Sequence, residues 1–185
     1  MITKTDIVSM AREYKGVPYR HQGRSTETGV DCAGLLALIA GRIGLEYPEN
    51  FTKGKKLKGK GKEPKGLFKA PKSKNSKYGR SIKNLRYTRN PETFELQSTL
   101  DLVLNPISLQ EVQPGDVLLL KIDIVPQHVA IVGGYKHGGL SMVHAYSRIE
   151  SRTGKQIGKV VEHRFAKIWL PRVIQAYQIP GVEAV

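Results

Sequence analysis

The side chains best suited to nucleophilic chemistry are a single cysteine, Cys32, and five histidines: His21, His128, His137, His144 and His163. With one cysteine no internal disulfide can form. Cys32 is therefore either a small core residue, the commoner fate of a free cysteine, or a thiol kept for reaction. Its surroundings, Gly29-Val30-Asp31-Cys32-Ala33-Gly34-Leu35-Leu36, shift that balance. Asp31 can cap the free N–H groups of a first helical turn, and Cys32 then falls inside that turn. There the positive end of the helix dipole is expected to favour thiolate, the reactive form of the side chain. The polar, turn-rich stretch from Gly23 to Gly29 leaves room for the sulfur to open on a cleft.

A cysteine nucleophile needs an imidazole within hydrogen-bond reach, to hold the ion pair and later to protonate the leaving amine. His128 and His144 each lie in an otherwise apolar strand-like run, where a lone histidine is more often a satisfied core or edge residue. On paired antiparallel strands the two can share a face, one contacting the thiol while the other orients it. His137 belongs to a Gly-rich hairpin tip and is expected to be exposed. His163 precedes a basic turn and reads as structural or solvated. His21, two residues from Tyr19, is placed to line the same cleft, as is Asp31.

The elements that must position these groups are legible from periodicity. Leu35, Leu36, Leu38, Ile39 and Ile43 recur at helical spacing with alanines between them, which predicts a buried central helix over 31–43 stopped by Gly44. Residues 1–14 read as an amphipathic helix with Thr5 or Asp6 near its start, and 91–104 as another helix. From Pro114-Gly115-Asp116, a turn, the pattern changes to strands: 117–122, then 127–134 and 140–146 as a hairpin around Gly138-Gly139.

Taken in order, these strings resemble the NlpC-type cysteine peptidases. The likeness runs through Gly16-Val17-Pro18-Tyr19-Arg20-His21-Gln22-Gly23, Asp31-Cys32-Ala33-Gly34-Leu35, Pro114-Gly115-Asp116-Val117, His128-Val129-Ala130-Ile131-Val132 and Met142-Val143-His144-Ala145. It is closest to the phage tail and gene-transfer-agent branch, where strings like Pro18-Tyr19-Arg20-His21-Gln22 and His144-Ala145-Tyr146 are typical. A strand, a basic turn and a final strand over 158–180 also fit that branch. The resemblance implies a papain-like α+β fold, with N-terminal helices packed on an antiparallel β-sheet in a single domain spanning 1–185. It makes Cys32 the nucleophile, His128 the general base and His144 the residue that orients it. Tyr19 matches a tyrosine that helps hold substrate or the oxyanion. The implied reaction is hydrolysis of an amide in the peptidoglycan stem peptide, commonly between D-glutamate and a diamino acid, with no cofactor or metal. Ala33 stands where a serine is frequent in the family, so a substrate contact from that hydroxyl is absent.

Net charge is +14, and its distribution is uneven. Residues 53–89 carry fifteen Lys and Arg against one acid, while the remainder is formally neutral. The Lys/Gly-rich part of this segment, 53–83, lacks sustained apolar periodicity and reads as an insertion between two helices. Docking on an acidic surface is the favoured role if it binds anything; nucleic acid ranks lower, because aromatic platforms are sparse. No apolar run reaches membrane-spanning length, and residues 1–14 lack the apolar core of a signal peptide. A wall-cutting enzyme without that signal is expected to be made in a host cytoplasm and carried to the wall or periplasm on a virion tail, with tail-tip or hub proteins as partners. The alternative is a structural tail-tip or assembly protein whose site is silent.

Overall fold

The computed structural model describes residues 1–47, 80–81, 95–122 and 125–184. The basic insertion, but for the backbone of 80–81, and the beginning of the helix expected from residue 91 lie outside the described residues. In chain order the elements are β1 (Ile2–Thr3), α1 (Lys4–Glu13), β2 (Arg24–Ser25), β3 (Gly29–Val30), α2 (Cys32–Arg42), β4 (Glu46–Tyr47), β5 (Arg80–Ser81) and α3 (Glu95–Val103). Then come β6 (Asn105–Ile107), β7 (Val117–Ile122), β8 (Val125–Gly134), β9 (Leu140–Ile149), β10 (Gln156–Arg164), β11 (Val173–Gln178) and β12 (Val182–Glu183).

The first helix starts one residue earlier than Thr5 would allow. Thr3 is its cap, accepting from the Asp6 amide at 3.2 Å, while the Asp6 carboxylate takes the Thr3 amide at 2.8 Å. This reciprocal pair satisfies two donors at once, so the helix begins here rather than at Thr5. Ile2 and Thr3 also pair in parallel with Val182 and Glu183.

The central helix forms where the periodicity places it. Asp31 caps it by accepting from the Gly34 amide at 2.8 Å. Its other end closes with Gly44 at φ +71° and a bond from the Leu45 amide to the Ala40 carbonyl at 2.9 Å, the 6→1 bond of a Schellman motif. Leu35, Leu36, Ala37, Ile39 and Ala40 are all buried, and each fully buried Leu or Ile contributes roughly 1.5–3 kcal/mol. The helix is held by its apolar surface all round.

Six antiparallel strands form the sheet in the order β10-β9-β8-β7-β11-β6. Strands β8 and β9 make the expected hairpin, with Ile131 opposite Val143. They run further than their apolar cores suggested, β8 starting at Val125 and β9 continuing to Ile149. One face carries Val117, Leu119, Val129, Ile131, Val143 and Val160 against the helices. The other gathers Leu118, Leu120, Ala130, Val132, Met142 and Ala176 beneath Phe165, Trp169 and Val173. Because both faces are covered, β7 is apolar at consecutive positions rather than alternate ones.

Candidate active site

Helix α2 and the sheet meet at the first turn of the helix, where a cavity of about 520 Å³ opens. Tyr19, His21, Asp31 and Cys32 line it from the N-terminal side, and Gln127 and His128 from β8. Ala145, Tyr146, Ser147 and Gln156 form the β9–β10 side, with Ile168, Trp169 and Arg172 closing it from a short 3-10 segment, Lys167–Arg172.

Three features bring the cysteine to this cavity. The Asp31 carboxylate holds the Gly34 and Gln22 amides and pairs with Arg24 at 3.0 Å, so it ties the loop before the helix to the helix itself. Gly34 permits close approach: a Cβ there would sit 2.0 Å from the Gly23 carbonyl oxygen. On the sheet side, β7 and β8 change register between Leu120/Lys121, with Leu120 opposite His128 and Lys121 opposite Pro126. Gln127 is the extra residue of this bulge, and its carbonyl accepts from Cys32 Sγ at 3.8 Å. Bulges re-aim side chains beside functional sites, and this one adjoins His128 and meets the thiol through the Gln127 carbonyl.

His128 and His144 share a face, as strand alternation requires. His128 Nε2 lies 2.6 Å from His144 Nδ1, with the rings edge-on at 72°. The line extends one residue further than the sequence suggested. His144 Nε2 is 2.8 Å from Nε2 of His163 on β10, and His163 Nδ1 donates to the Arg164 carbonyl at 3.0 Å. His163 is thus bonded and stacked rather than simply solvated. On β10 it stands opposite Met142, diagonal to His144 on the same face. Trp169 stacks on it at 5.4 Å and meets His144 edge-on at 6.0 Å. His137 is exposed at the hairpin tip, outside this line. His21 is at the rim, its Nδ1 3.9 Å from the Asp31 carboxylate.

Electrostatics differ from what the helix start suggested. Cys32 is 8% exposed, and burial pushes its thiol up to about 12, with the Asp31 charge adding to the rise. The Val129 and Ala33 amides act in the opposite direction and are outweighed. Burial likewise pulls His128 down to about 4 and lowers His144, whose histidine neighbours add to the effect. Burial thus works against the resting thiolate that the helix start suggested, since desolvation disfavours the charged form of both groups. The three imidazoles bond along a line rather than converging, and among the described residues no set of three His, Cys, Asp or Glu is gathered as metal ligands.

Helices packed on an antiparallel sheet in this way make a papain-like α+β fold. The family model described as "NlpC/P60 family" matches residues 16–176, and the chain belongs to that family. Two solved structures share the fold. One is a Staphylococcus aureus subsp. aureus Mu50 protein described as similar to lipoprotein, NLP/P60 family, at 17% identity and TM-score 0.51; the match covers 97% of this chain and 41% of that one. The other is the NlpC/p60 domain of the peptidoglycan hydrolase SagA, at 18% identity and TM-score 0.51, with 96% of this chain and 100% of that one covered. This chain thus spans well under half of the staphylococcal protein and the whole of the SagA domain. No curated protein sequence matches the chain.

Sequence reasoning missed Gln127, His163, Trp169 and Arg172. Trp169 is the only tryptophan, which was a usable signal. The other three depend on strand register and on the path of the 3-10 segment, which residue types do not encode.

Proposed function

We propose that this chain is a cysteine peptidase that hydrolyses an amide of the peptidoglycan stem peptide. The observation that carries the reading is the His128–His144 contact on the wall of the cavity that holds the Cys32 sulfur. In this mechanism His128 takes the thiol proton as sulfur attacks the carbonyl, so charge separates only when substrate is present. Its imidazolium then protonates the departing amine, and neutral His128 activates the water that hydrolyses the thioester. His144 orients the base. Backbone amides at the start of α2, with Tyr19 on the same wall, receive the oxyanion. The proposed scissile bond joins D-glutamate to a diamino acid.

The finer setting we propose is a phage tail that opens the wall locally when the genome enters the cell. Support comes from the Pro18-Tyr19-Arg20-His21-Gln22 and His144-Ala145-Tyr146 strings. The basic residues of 53–89 fit docking on an acidic tail partner or on carboxylate-bearing murein. Digestion of isolated sacculi of several chemotypes, with product masses determined, tests the enzymatic reading. New amino groups on the diamino acid are expected with wild type and not with Cys32→Ala; equal products from both would end the claim. Immunogold labelling of particles, or mass spectrometry of purified tails, tests the setting, and absence from the particle would refute it.

One observation favours a second reading, a tail-tip or assembly component with a silent site: the thiol is buried and pushed up to about 12. A silent Cys32 reacts with haloacetamide no faster than an ordinary buried thiol, and His128→Ala leaves that rate unchanged.

A further inference from the structure

Three imidazoles in a line raise a question of proton placement, and one backbone atom answers it. A carbonyl oxygen only accepts, so the 3.0 Å contact between His163 Nδ1 and the Arg164 carbonyl puts a proton on Nδ1. In neutral His163, Nε2 is then an acceptor. Its 2.8 Å partner, His144 Nε2, must therefore carry a proton and donate. Neutral His144 accepts at Nδ1, so His128 Nε2, 2.6 Å away, carries a proton and donates. This leaves Nδ1 of His128 unprotonated, the one ring nitrogen of that residue not engaged by His144. We propose that His163 is a positioning residue that fixes the tautomers of all three histidines and so presents His128 as a base. The proposal rests on the reading of His128 as the base and adds a residue to it.

This order of donors and acceptors belongs to His163 with a single ring proton. A doubly protonated His163 would donate from Nε2, reverse both inner bonds and place a proton on His128 Nδ1, where it would block the transfer from Cys32. The Arg172 guanidinium carbon lies 5.8 Å from the centre of the Trp169 ring that stacks on His163. Neighbouring Glu162 on β10 turns to the opposite face, where Arg12, Lys15 and Ser141 hold it. Trp169 also fixes the His163 ring plane, keeping Nδ1 on the carbonyl.

Long-range proton–nitrogen NMR spectra of the full chain, labelled with nitrogen-15 in histidine, read the tautomers without substrate. At mildly alkaline pH we expect Nε2–H forms for His128 and His144 and the Nδ1–H form for His163. Finding His144 protonated on Nδ1 would overturn the proposal. His163→Phe keeps a ring beneath Trp169 and removes both nitrogens. It is expected to release the His144 tautomer and slow iodoacetamide alkylation of Cys32 by roughly 10- to 100-fold, the usual loss when a partner that orients an imidazole is removed. His163→Gln, whose carboxamide oxygen can accept from His144, is expected to recover most of that rate. Unchanged spectra and rate in His163→Phe would refute the proposal; if that variant melts early, the wild-type spectrum still decides. The predicted tautomers in a chain that cleaves no murein would leave this inference standing while the hydrolase reading falls.

Discussion

Asp31 acts on its neighbours in two ways that substitution can separate. Its carboxylate caps α2 and bonds to Gln22 and Arg24, while its charge raises the Cys32 thiol and favours protonated His128. Asp31→Asn keeps an oxygen for the cap and removes the charge. It is expected to make Cys32 more acidic, seen as faster alkylation at a fixed pH, and to cost stability as well, because its NH2 group faces the Gln22 amide that the second oxygen now holds and Arg24 loses its ion pair. Asp31→Ala loses the cap as well and should cost about 0.5–2 kcal/mol in denaturant unfolding. A second prediction follows from burial of His128. Its folded value of about 4 lies below the ordinary 6.5, so the unfolded chain binds more protons between those values. The stability this residue contributes is therefore complete above 6.5 and is lost as pH falls toward about 4. Urea midpoints should decline over that window, and less steeply in His128→Gln. The helix-start position of Cys32 and the shared face of His128 and His144 were legible because Asp31 before an apolar helix, and histidine within apolar strands, are local patterns. The protonation state was not legible, because it depends on how much water the assembled cleft excludes.

At the scale of elements, the site depends on the closeness of one helix to one loop and on one irregularity in the sheet. Gly34→Ala would drive a methyl group into the Gly23 carbonyl, 2.0 Å from the ideal Cβ position. The strain of such overpacking is typically about 1–3 kcal/mol. We expect a lower melting temperature together with slower Cys32 alkylation, because the shift moves the first turn of α2. A normal alkylation rate at normal stability would show that the helix tolerates the displacement. The central helix, β7 and the β8–β9 hairpin could be read from local pattern, whereas the short pairings β1–β12 and β2–β3 could not. What periodicity does not carry is register across β9 and β10, joined through residues 150–155. That register alone brings His163 diagonal to His144. The bulge at Gln127 was hidden for the same reason, since it exists only relative to β7.

Across the whole molecule, the N-terminal helix is tied to the sheet by a buried ion pair, Lys4 Nζ to Asp116 Oδ1 at 2.7 Å. Asp116 is fully buried and also accepts from the Gln113 amide at 2.8 Å. The Pro114-Gly115-Asp116 string, a marker of the family at the level of sequence, is thus a structural joint here and lies outside the cleft. Asp116→Ala strands a buried ammonium and should destabilise by about 3–5 kcal/mol. The Lys4→Met, Asp116→Leu double variant should recover much of that loss in chemical unfolding, because neither charge is left unpaired. Equal losses in the single and double variants would show that packing rather than charge is at stake.

In the proposed reaction Cys32, served by His128 and His144, cleaves murein stem peptides. Its most direct test is turnover of soluble stem-peptide muropeptides, followed by mass spectrometry, in wild type against a folded Cys32→Ala variant. Wild type is expected to cleave between D-glutamate and the diamino acid, with a rate loss of roughly 10³-fold or more in the variant, as when a catalytic nucleophile is removed. Equal rates, or no cleavage by wild type on any stem-peptide chemotype, would contradict it.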